Sequence, residues 1–302
     1  MVDGARTVGG WKGWAWAMAT MACGVGRGES IPVPNGSFEE PPVAFVGLDL
    51  GPWKRTEKPG WYDEGGGMYW NQLVGVFQNT APGKPDHIGN LDGRQAAWLF
   101  ALPGVGVWQE IGPEASASPV RYELGHAYQL VVDVLGNGGG MKEGVPLILG
   151  FCHGNADGSR GWVATRTVVS SALLFPTRTH LTTFRVTTPV VRPGDAWAGK
   201  PVAIMAESAV GFEEQGGYWD LDHFRVNHVP SPELAIRLLG TGLRLAWRTE
   251  SGWRYHAWRS SDLRAWRPLG GVVEGNGAVA ELPVEGDADG AWFYRLEVTA
   301  GE

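Results

Sequence analysis

The segment from Trp53 to Trp70 gathers side chains that could hold a ligand. It lacks the alternation of its surroundings and places aromatic residues among glycines, prolines and charges. The flat face of an indole packs on the C–H face of a sugar ring, whose hydroxyl groups then need polar partners. The segment therefore favours carbohydrate or another small molecule as ligand. The candidate contacts are Trp61, Tyr62, Trp70, Asn71, Gln78 and Trp108. The alternative is that these aromatics only pin a long loop to the core.

No catalytic motif accompanies these residues. The patterns G-x-S-x-G and H-E-x-x-H, the P-loop and paired C-x-x-C are all missing from the sequence. Adjacent carboxylates occur at 39–40 and 213–214, but neighbours in a strand point to opposite faces and cannot act together across one sugar. The segment 155–166 begins like an EF-hand loop, yet arginines occupy its glycine and glutamate positions. A non-catalytic protein is therefore favoured.

The composition is that of a folded chain rich in turns. Among 302 residues, 46 are glycine and 20 are proline, yet 43% are hydrophobic and 16 are tryptophan, which excludes a disordered chain. The net charge of -7 argues against nucleic acid as a partner, because phosphate binding needs clustered Lys and Arg. The two cysteines, Cys23 and Cys152, lie in very different contexts, so disulfides do not organise the fold. No feature of the sequence indicates the oligomeric state.

Strands must position the candidate residues. In one segment Tyr128, Leu130 and Val132 share a face, and a turn is predicted at 136–138. Similar apolar strands are predicted at 95–100, 145–152, 162–169, 181–186, 202–205 and 218–226. Many strands at short spacing predict an all-β fold, a sandwich or a barrel.

The first 30 residues predict a signal peptide or a disordered N-terminal tail. Basic residues precede an uncharged stretch from 13 to 26 that is too short to span a bilayer. Residues 17–19 offer a cleavage site, and the residues before Cys23 loosely resemble a lipoprotein box. A mis-assigned start would remove both signals. The expected location is secreted, cell-surface or periplasmic, and no transmembrane segment is predicted.

The segment 227–232 is the best candidate for a linker, because Pro230 and Pro232 remove backbone donors. Beyond it a second β pattern begins. Its apolar residues alternate over 234–238, 243–247 and 292–298. The sequence therefore predicts two units, at 31–228 and 233–302, the second being a small accessory β-sandwich.

Both ends of the first unit resemble a known family. Residues 31–39, Ile-Pro-Val-Pro-Asn-Gly-Ser-Phe-Glu, resemble the opening strand of galactose-binding-like jelly rolls, the superfamily that includes many carbohydrate-binding modules. Residues 218–226, Tyr-Trp-Asp-Leu-Asp-His-Phe-Arg-Val, resemble its closing strand. Segments 75–79, 92–99 and 106–111 follow in the expected order. The resemblance implies a jelly-roll β-sandwich of a secreted bacterial protein. The tail is similar to small β modules for which no chemistry is established.

The resemblance also implies a structural calcium ion held by Glu39 and Asp222, with the first and last strands side by side. Calcium takes about six to eight oxygen ligands from carboxylates, carbonyls and waters. Asp222 is expected to share a face with the core residue Phe224, where an unpaired carboxylate would be costly. Asp220 lies on the same face and is a further ligand, a hydrogen-bond anchor or an acid in a pocket. The alternative is that Glu39 and Asp222 are ordinary loop and turn residues.

The leading prediction is a calcium-stabilised, non-catalytic module that binds carbohydrate or a cell-surface glycan. One alternative comes from the cyanobacterial indole-terpenoid cyclases, which use the same calcium-bearing jelly roll and an acidic residue in its pocket. That resemblance implies Asp220 as the general acid and Trp70, Trp98 and Trp108 as pocket walls. The other alternative is a structural protein of the cell wall or matrix.

Overall fold

A computed structural model describes residues 30–113, 119–230, 232–239, 242–284 and 292–301. Almost every regular element within these ranges is a β-strand, and the exception is one turn of 3-10 helix at Trp70–Gln72. The all-β fold class predicted from the sequence is therefore confirmed. In this part of the chain no helix is long and apolar enough to cross a membrane. The predicted signal peptide and Cys23 lie outside the described residues.

Two antiparallel sheets form the first unit. The seven-stranded sheet contains β1 (Ser30–Ile31), β2 (Val46–Gly47), β4 (Val74–Gln78), β5 (Gln95–Phe100), β7 (Tyr128–Gly138), β10 (Thr182–Thr187) and β12 (Tyr218–His228). Its order is β10-β7-β12-β5-β4-β2, and β1 pairs with β12. The five-stranded sheet contains β3 (Lys54–Arg55), β6 (Gly106–Glu110), β8 (Pro146–Gly154), β9 (Arg160–Val169) and β11 (Ala203–Ser208), in the order β3-β6-β11-β8-β9. The first and last strands of this jelly-roll sandwich are thus neighbours.

One hydrophobic core lies between the two sheets. Val76, Leu99 and Trp219 enter it from the seven-stranded sheet, and Leu149 and Ile204 enter it from the five-stranded sheet; all five are fully buried. Because successive side chains in a strand point to opposite faces, the residues between these core positions lie on the outer face of each sheet. That alternation decides which side chains are available to a ligand.

A bulge in β12 corrects the predicted placement of Asp222. His223 has a φ of 53°, and the register with β7 slips between Asp222 and Arg225. Trp219 faces the core before the slip and Phe224 faces it afterwards, so the inward positions change from odd to even numbers. Asp222 precedes the slip and lies on the outer face of the sheet. The expectation that it shares a face with Phe224 was wrong, because alternation does not continue through a bulge.

The turn predicted at 136–138 was also wrong, since β7 continues to Gly138 and the chain turns at 139–140. The glycines have another role. A Cβ atom on Gly136 would lie 2.8 Å from the Phe175 ring, and one on Gly138 would lie 2.6 Å from the Tyr218 ring. Glycine is therefore required here by aromatic side chains that lie against the strand.

The second unit has its own sheets and core. β13 (Ala235–Leu239), β14 (Gly242–Arg248) and β18 (Val279–Val284) form a three-stranded sheet. β15 (Trp253–Ser260), β16 (Arg267–Pro268), β17 (Val273–Glu274) and β19 (Phe293–Ala300) form the other sheet. Leu245, Trp247 and Tyr255 lie in a hydrophobic cluster separate from the first core. The predicted β pattern is present, whereas the limits of the two domains stay a prediction.

Candidate functional site

A pocket of about 650 Å³ opens on the outer face of the seven-stranded sheet. Strand register builds it, because Trp98 in β5 lies opposite Asp220 in β12, and Phe100 lies opposite Tyr218. All four alternate with core residues and so point away from the core. The aromatic side chains that line the pocket are Phe45, Phe77, Trp98, Phe100 and Tyr218. The polar side chains that line it are Gln72, Gln78, Thr80, Asp86, Arg178 and Asp220.

Glycines in the neighbouring strands let two of these rings lie against the sheet. A Cβ atom on Gly75, which is paired with Trp98, would lie 2.2 Å from the indole. Gly138 makes the same space for Tyr218, as described above. The rings of Phe100 and Tyr218 meet edge to face, with centroids 6.2 Å apart. The floor of the pocket is therefore an aromatic surface fixed by the backbone beneath it.

Arg178 and Asp220 form an ion pair in the pocket wall. Arg178 Nη2 lies 2.8 Å from Asp220 Oδ2, and Arg178 Nη1 donates to the carbonyl oxygen of Gly136. Burial raises the pKa of Asp220 to about 6, and the Arg178 guanidinium acts in the opposite direction. Asp220 Oδ1 accepts no hydrogen bond from any described residue. That oxygen is the polar acceptor that the wall leaves open to a ligand.

The loop between β4 and β5 forms one side of the pocket and is held at both ends. Asn79 exchanges two hydrogen bonds with the backbone of Ile88, at 2.8 and 3.1 Å. Asn90 exchanges two with the backbone of Leu181, at 3.0 and 2.8 Å. Thr80 Oγ1 is buried and has no hydrogen-bond partner among the described residues. The loop thus presents a fixed wall with one unsatisfied hydroxyl group.

Of the six predicted ligand contacts, Gln78 lines this pocket. Trp61, Tyr62 and Trp70 form a separate aromatic cluster, with the Tyr62 and Trp70 centroids 5.0 Å apart. Trp70 is buried, and its Nε1 donates to the Thr56 carbonyl oxygen at 2.8 Å. Trp61 keeps 43% of its surface exposed. Whether this cluster binds a ligand stays a prediction.

The two remaining predicted contacts also lie outside the pocket. Asn71 is exposed on the 3-10 turn, beside Gln72, which lines the pocket. Trp108 is in β6 of the other sheet. The Arg160 guanidinium carbon lies 3.2 Å from its ring centroid, and Lys54 Nζ lies 4.8 Å from it. The Trp108 indole is therefore already in contact with two cationic side chains.

Sequence reasoning missed most of the pocket walls. Phe77, Phe100 and Tyr218 were not among the candidates, although the alternation of β5 and β12 places Phe100 and Tyr218 on the outer face. That alternation could have identified both residues from the sequence. No such pattern was available for Arg178 and Phe45, because they come from segments outside the predicted strands. The pairing of β4, β5 and β12 brings Phe77, Phe100 and Tyr218 together.

Glu39 and Asp222 hold the same segment of chain. Glu39 Oε1 accepts hydrogen bonds from the backbone of Arg94 and Gln95, both at 2.8 Å. Asp222 Oδ2 accepts one from the backbone of Asp92 at 2.7 Å. The two carboxylates therefore approach the entry to β5 from the segment that follows β1 and from β12.

The charged form of Asp222 has no basic partner among the described residues. Asp222 is fully buried and forms no ion pair with any described residue. Burial raises its pKa to about 8, and the nearby Asp92 and Asp133 carboxylates add to the effect. The described residues contain no cluster of three or more His, Cys, Asp or Glu that could hold a metal. Carboxylate oxygens are nevertheless the kind of ligand that a hard cation such as calcium prefers.

We expect Gln95→Ala to lower the free energy of unfolding by about 2–3 kcal/mol. The Gln95 side chain donates to the Phe38 carbonyl oxygen at 2.7 Å and accepts from the Val43 N–H at 2.5 Å. Its removal leaves the buried Phe38 carbonyl oxygen and the half-buried Val43 N–H without this partner. Gln78→Ala is the matched control, because Gln78 is paired with Gln95 but exposed. Urea unfolding of both variants measures the difference, and equal stabilities would contradict the role assigned to Gln95.

The fold and this pocket define the chain as a β-sandwich with a ligand-sized site on one sheet. No family model and no curated protein matches it. Among solved structures, the chain is similar to a Stig cyclase from Fischerella sp. TAU in complex with an indole compound, at 19% identity over 67% of this chain and 98% of that chain, with a TM-score of 0.47. It is also similar to the CBM22-1 xylan-binding domain from Paenibacillus barcinonensis, at 15% identity over 65% and 93%, with a TM-score of 0.35. A third structure, TmCBM61 with β-1,4-galactotriose, has 12% identity over 65% and 97%, with a TM-score of 0.34.

Proposed function

We propose that this chain is a non-catalytic module that binds carbohydrate in the pocket on the outer face of the seven-stranded sheet. The observation that carries the proposal is the set of aromatic side chains that line this pocket, among them Trp98 and Tyr218. A pyranose ring can stack on such faces through its C–H groups. Its hydroxyl groups can then reach Gln78 or the Asp220 Oδ1 atom.

The size of the pocket supports a small ligand. Its volume of about 650 Å³ lies within the range of roughly 300–1,000 Å³ that is usual for small-molecule sites. The walls are held in place without a ligand. Glycines lie beneath Trp98 and Tyr218, and the side chains of Asn79 and Asn90 hydrogen-bond to the backbone at both ends of the β4–β5 loop. Such a site loses little conformational entropy on binding.

Calcium is the second part of the proposal. The ion would be held by Glu39 and Asp222 and would neutralise the buried Asp222 carboxylate. It would stabilise the junction of the first strand, the last strand and the entry to β5. This role is structural, since neither carboxylate lines the pocket. The metal and the ligand therefore act at different places on the same sheet.

The test compares two tryptophans. We expect Trp98→Ala to weaken glycan binding by roughly thirtyfold, which corresponds to about 2 kcal/mol, because Trp98 forms the floor of the pocket. Trp61→Ala is the matched control, since Trp61 is exposed but lies in the separate cluster. A glycan array identifies the ligand, and calorimetry measures both variants. Loss of binding in Trp61→Ala with no change in Trp98→Ala would move the site to the Trp61 cluster.

One observation favours an enzymatic alternative. Asp220 is a buried carboxyl group with a raised pKa in a pocket that also contains Trp98, as a general acid of a cyclase would require. Trp70 and Trp108, the other expected walls, do not line this pocket. The ion pair with Arg178 also favours the carboxylate over the acid. Turnover of an isonitrile-indole substrate that is lost in Asp220→Ala would establish the cyclase, and absence of turnover would exclude it.

A further inference from the structure

The charges that line the pocket are unevenly distributed. Arg178 carries the positive charge, whereas Asp220 and Asp86 carry negative charges. One positive and two negative groups give the lining a net charge of one negative. The Asp86 side chain lies at the exposed rim, and the ion pair lies in the wall. A charged ligand therefore meets a site that is already negative before it reaches the aromatic floor.

The positive charge of Arg178 is engaged by the protein. One of its terminal nitrogens donates to Asp220 Oδ2 and the other donates to the Gly136 carbonyl oxygen. An acidic ligand that approached the guanidinium would also approach the Asp220 carboxylate. By contrast, Asp220 Oδ1 accepts no hydrogen bond from the described residues. The wall thus offers a free acceptor and no free cation.

The aromatic lining acts in the same direction as these charges. The face of an aromatic ring carries negative potential, so that a cation within about 6 Å of a ring centroid is attracted to it. Five aromatic side chains line the pocket. The Arg178 guanidinium carbon already lies 5.3 Å from the Tyr218 ring centroid, so the Trp98 ring is the stronger of the faces that remain for a ligand cation. An ammonium group close to these rings could also donate to the free oxygen of Asp220. Rings and carboxylates together form an arrangement suited to an organic cation.

We infer that the pocket selects ligands that carry a positively charged amino group over neutral and acidic ligands of the same shape. Among glycans, these are amino sugars with a free amine. The inference rests on the proposed function in one respect, namely that this pocket is the ligand site. It adds the chemical class of the ligand, which neither the fold nor the volume of the pocket specifies.

Two charge series of constant shape test the inference near neutral pH, with the full chain and calorimetry or ligand-observed NMR. The first series is glucosamine, glucose and glucuronate. The second is choline, its neutral carbon isostere tert-butylethanol, and the anion of tert-butylacetic acid. We expect the cation to bind about tenfold more tightly than the neutral member in each series, and the anion to bind most weakly. Equal affinities, or tighter binding of either anion, would overturn the inference.

Variants identify which side chains cause the preference for the cationic ligand. We expect Asp220→Asn to reverse the preference, because Arg178 loses its carboxylate partner and becomes available to an anion. Asp86→Asn removes a rim charge without touching the wall, and should lower the preference for the cation by about twofold to threefold. Glu57→Gln is its control, since Glu57 is an exposed acid outside the pocket. If Asp220→Asn does not fold, Asp86→Asn still tests the inference. An unchanged preference for the cationic ligand in Asp86→Asn would count against it.

The outcomes separate this inference from the proposed function. Sugars that bind in the Trp98-dependent site without regard to charge would preserve the carbohydrate module and overturn charge selection. Choline that binds there while no sugar binds would preserve charge selection and overturn the carbohydrate module. If neither series binds, the pocket is not a ligand site, and both proposals fail.

Discussion

We expect EDTA to lower the melting temperature of the full chain by roughly 5–10 °C if Glu39 and Asp222 hold the proposed calcium ion. A ligand that binds only the native state at about 100 times its dissociation constant stabilises that state by about 2.7 kcal/mol. Each kcal/mol shifts the melting temperature of a domain this size by roughly 2–4 °C. The physical source of the effect is Asp222, which is fully buried without an ion-pair partner among the described residues. Differential scanning calorimetry with EDTA, and again after excess calcium, measures the shift.

Variants of the two carboxylates show whether the effect is local. Glu39→Gln can keep both hydrogen bonds that Oε1 accepts from Arg94 and Gln95, while it removes the charge. Its melting temperature should no longer respond to EDTA. Glu40→Gln is the neighbouring control, because Glu40 is exposed, and it should respond like the unaltered chain. If EDTA leaves the melting temperature of the unaltered chain unchanged, the proposed structural calcium ion is wrong.

Much of the fold could be predicted because strand alternation is a local property of the sequence. The predicted strand at 95–100 coincides with β5, and the one at 218–226 falls within β12. Strand alternation fails as a predictor where a bulge interrupts the strand. The slip at His223 changes which face of β12 points inward. The residue types around His223 do not predict its positive φ. A turn was predicted at Gly136 and Gly138 because the rings that require glycine there, Phe175 and Tyr218, are distant in sequence.

The candidate site was harder to predict for the same reason. Trp61 and Trp70 were predicted as ligand contacts because they are close together in a loop, yet the structure places them in a cluster outside the pocket. The pocket instead combines Trp98, Tyr218 and Arg178, which are distant in the chain. Aromatic residues on the outer face of a predicted strand indicate a surface site only when the neighbouring strands are known. Sequence alone could identify the members on β5 and β12, but not their pairing.

The indole of Trp98 makes Gly75 the most sensitive position under the pocket. Gly75 has no positive φ, so that a side chain there meets no backbone strain. The obstacle is space, because a Cβ atom would lie 2.2 Å from the Trp98 ring and 2.5 Å from the carbonyl oxygen of Gly47. One of these neighbours is backbone in β2 and the other is the floor of the pocket. A methyl group therefore forces either the strand or the indole to move.

We expect Gly75→Ala to lower the free energy of unfolding by about 1–3 kcal/mol, as is usual for overpacking, and to weaken glycan binding by roughly thirtyfold because Trp98 leaves the floor. Gly66→Ala is the matched control, since a Cβ atom there meets nothing within 4 Å and Gly66 has no positive φ. Urea unfolding and calorimetric titration measure both variants. A folded Gly75→Ala protein with full affinity would mean that the ligand does not use the Trp98 surface, whereas lost affinity at near-normal stability would show that the glycine serves the pocket more than the fold.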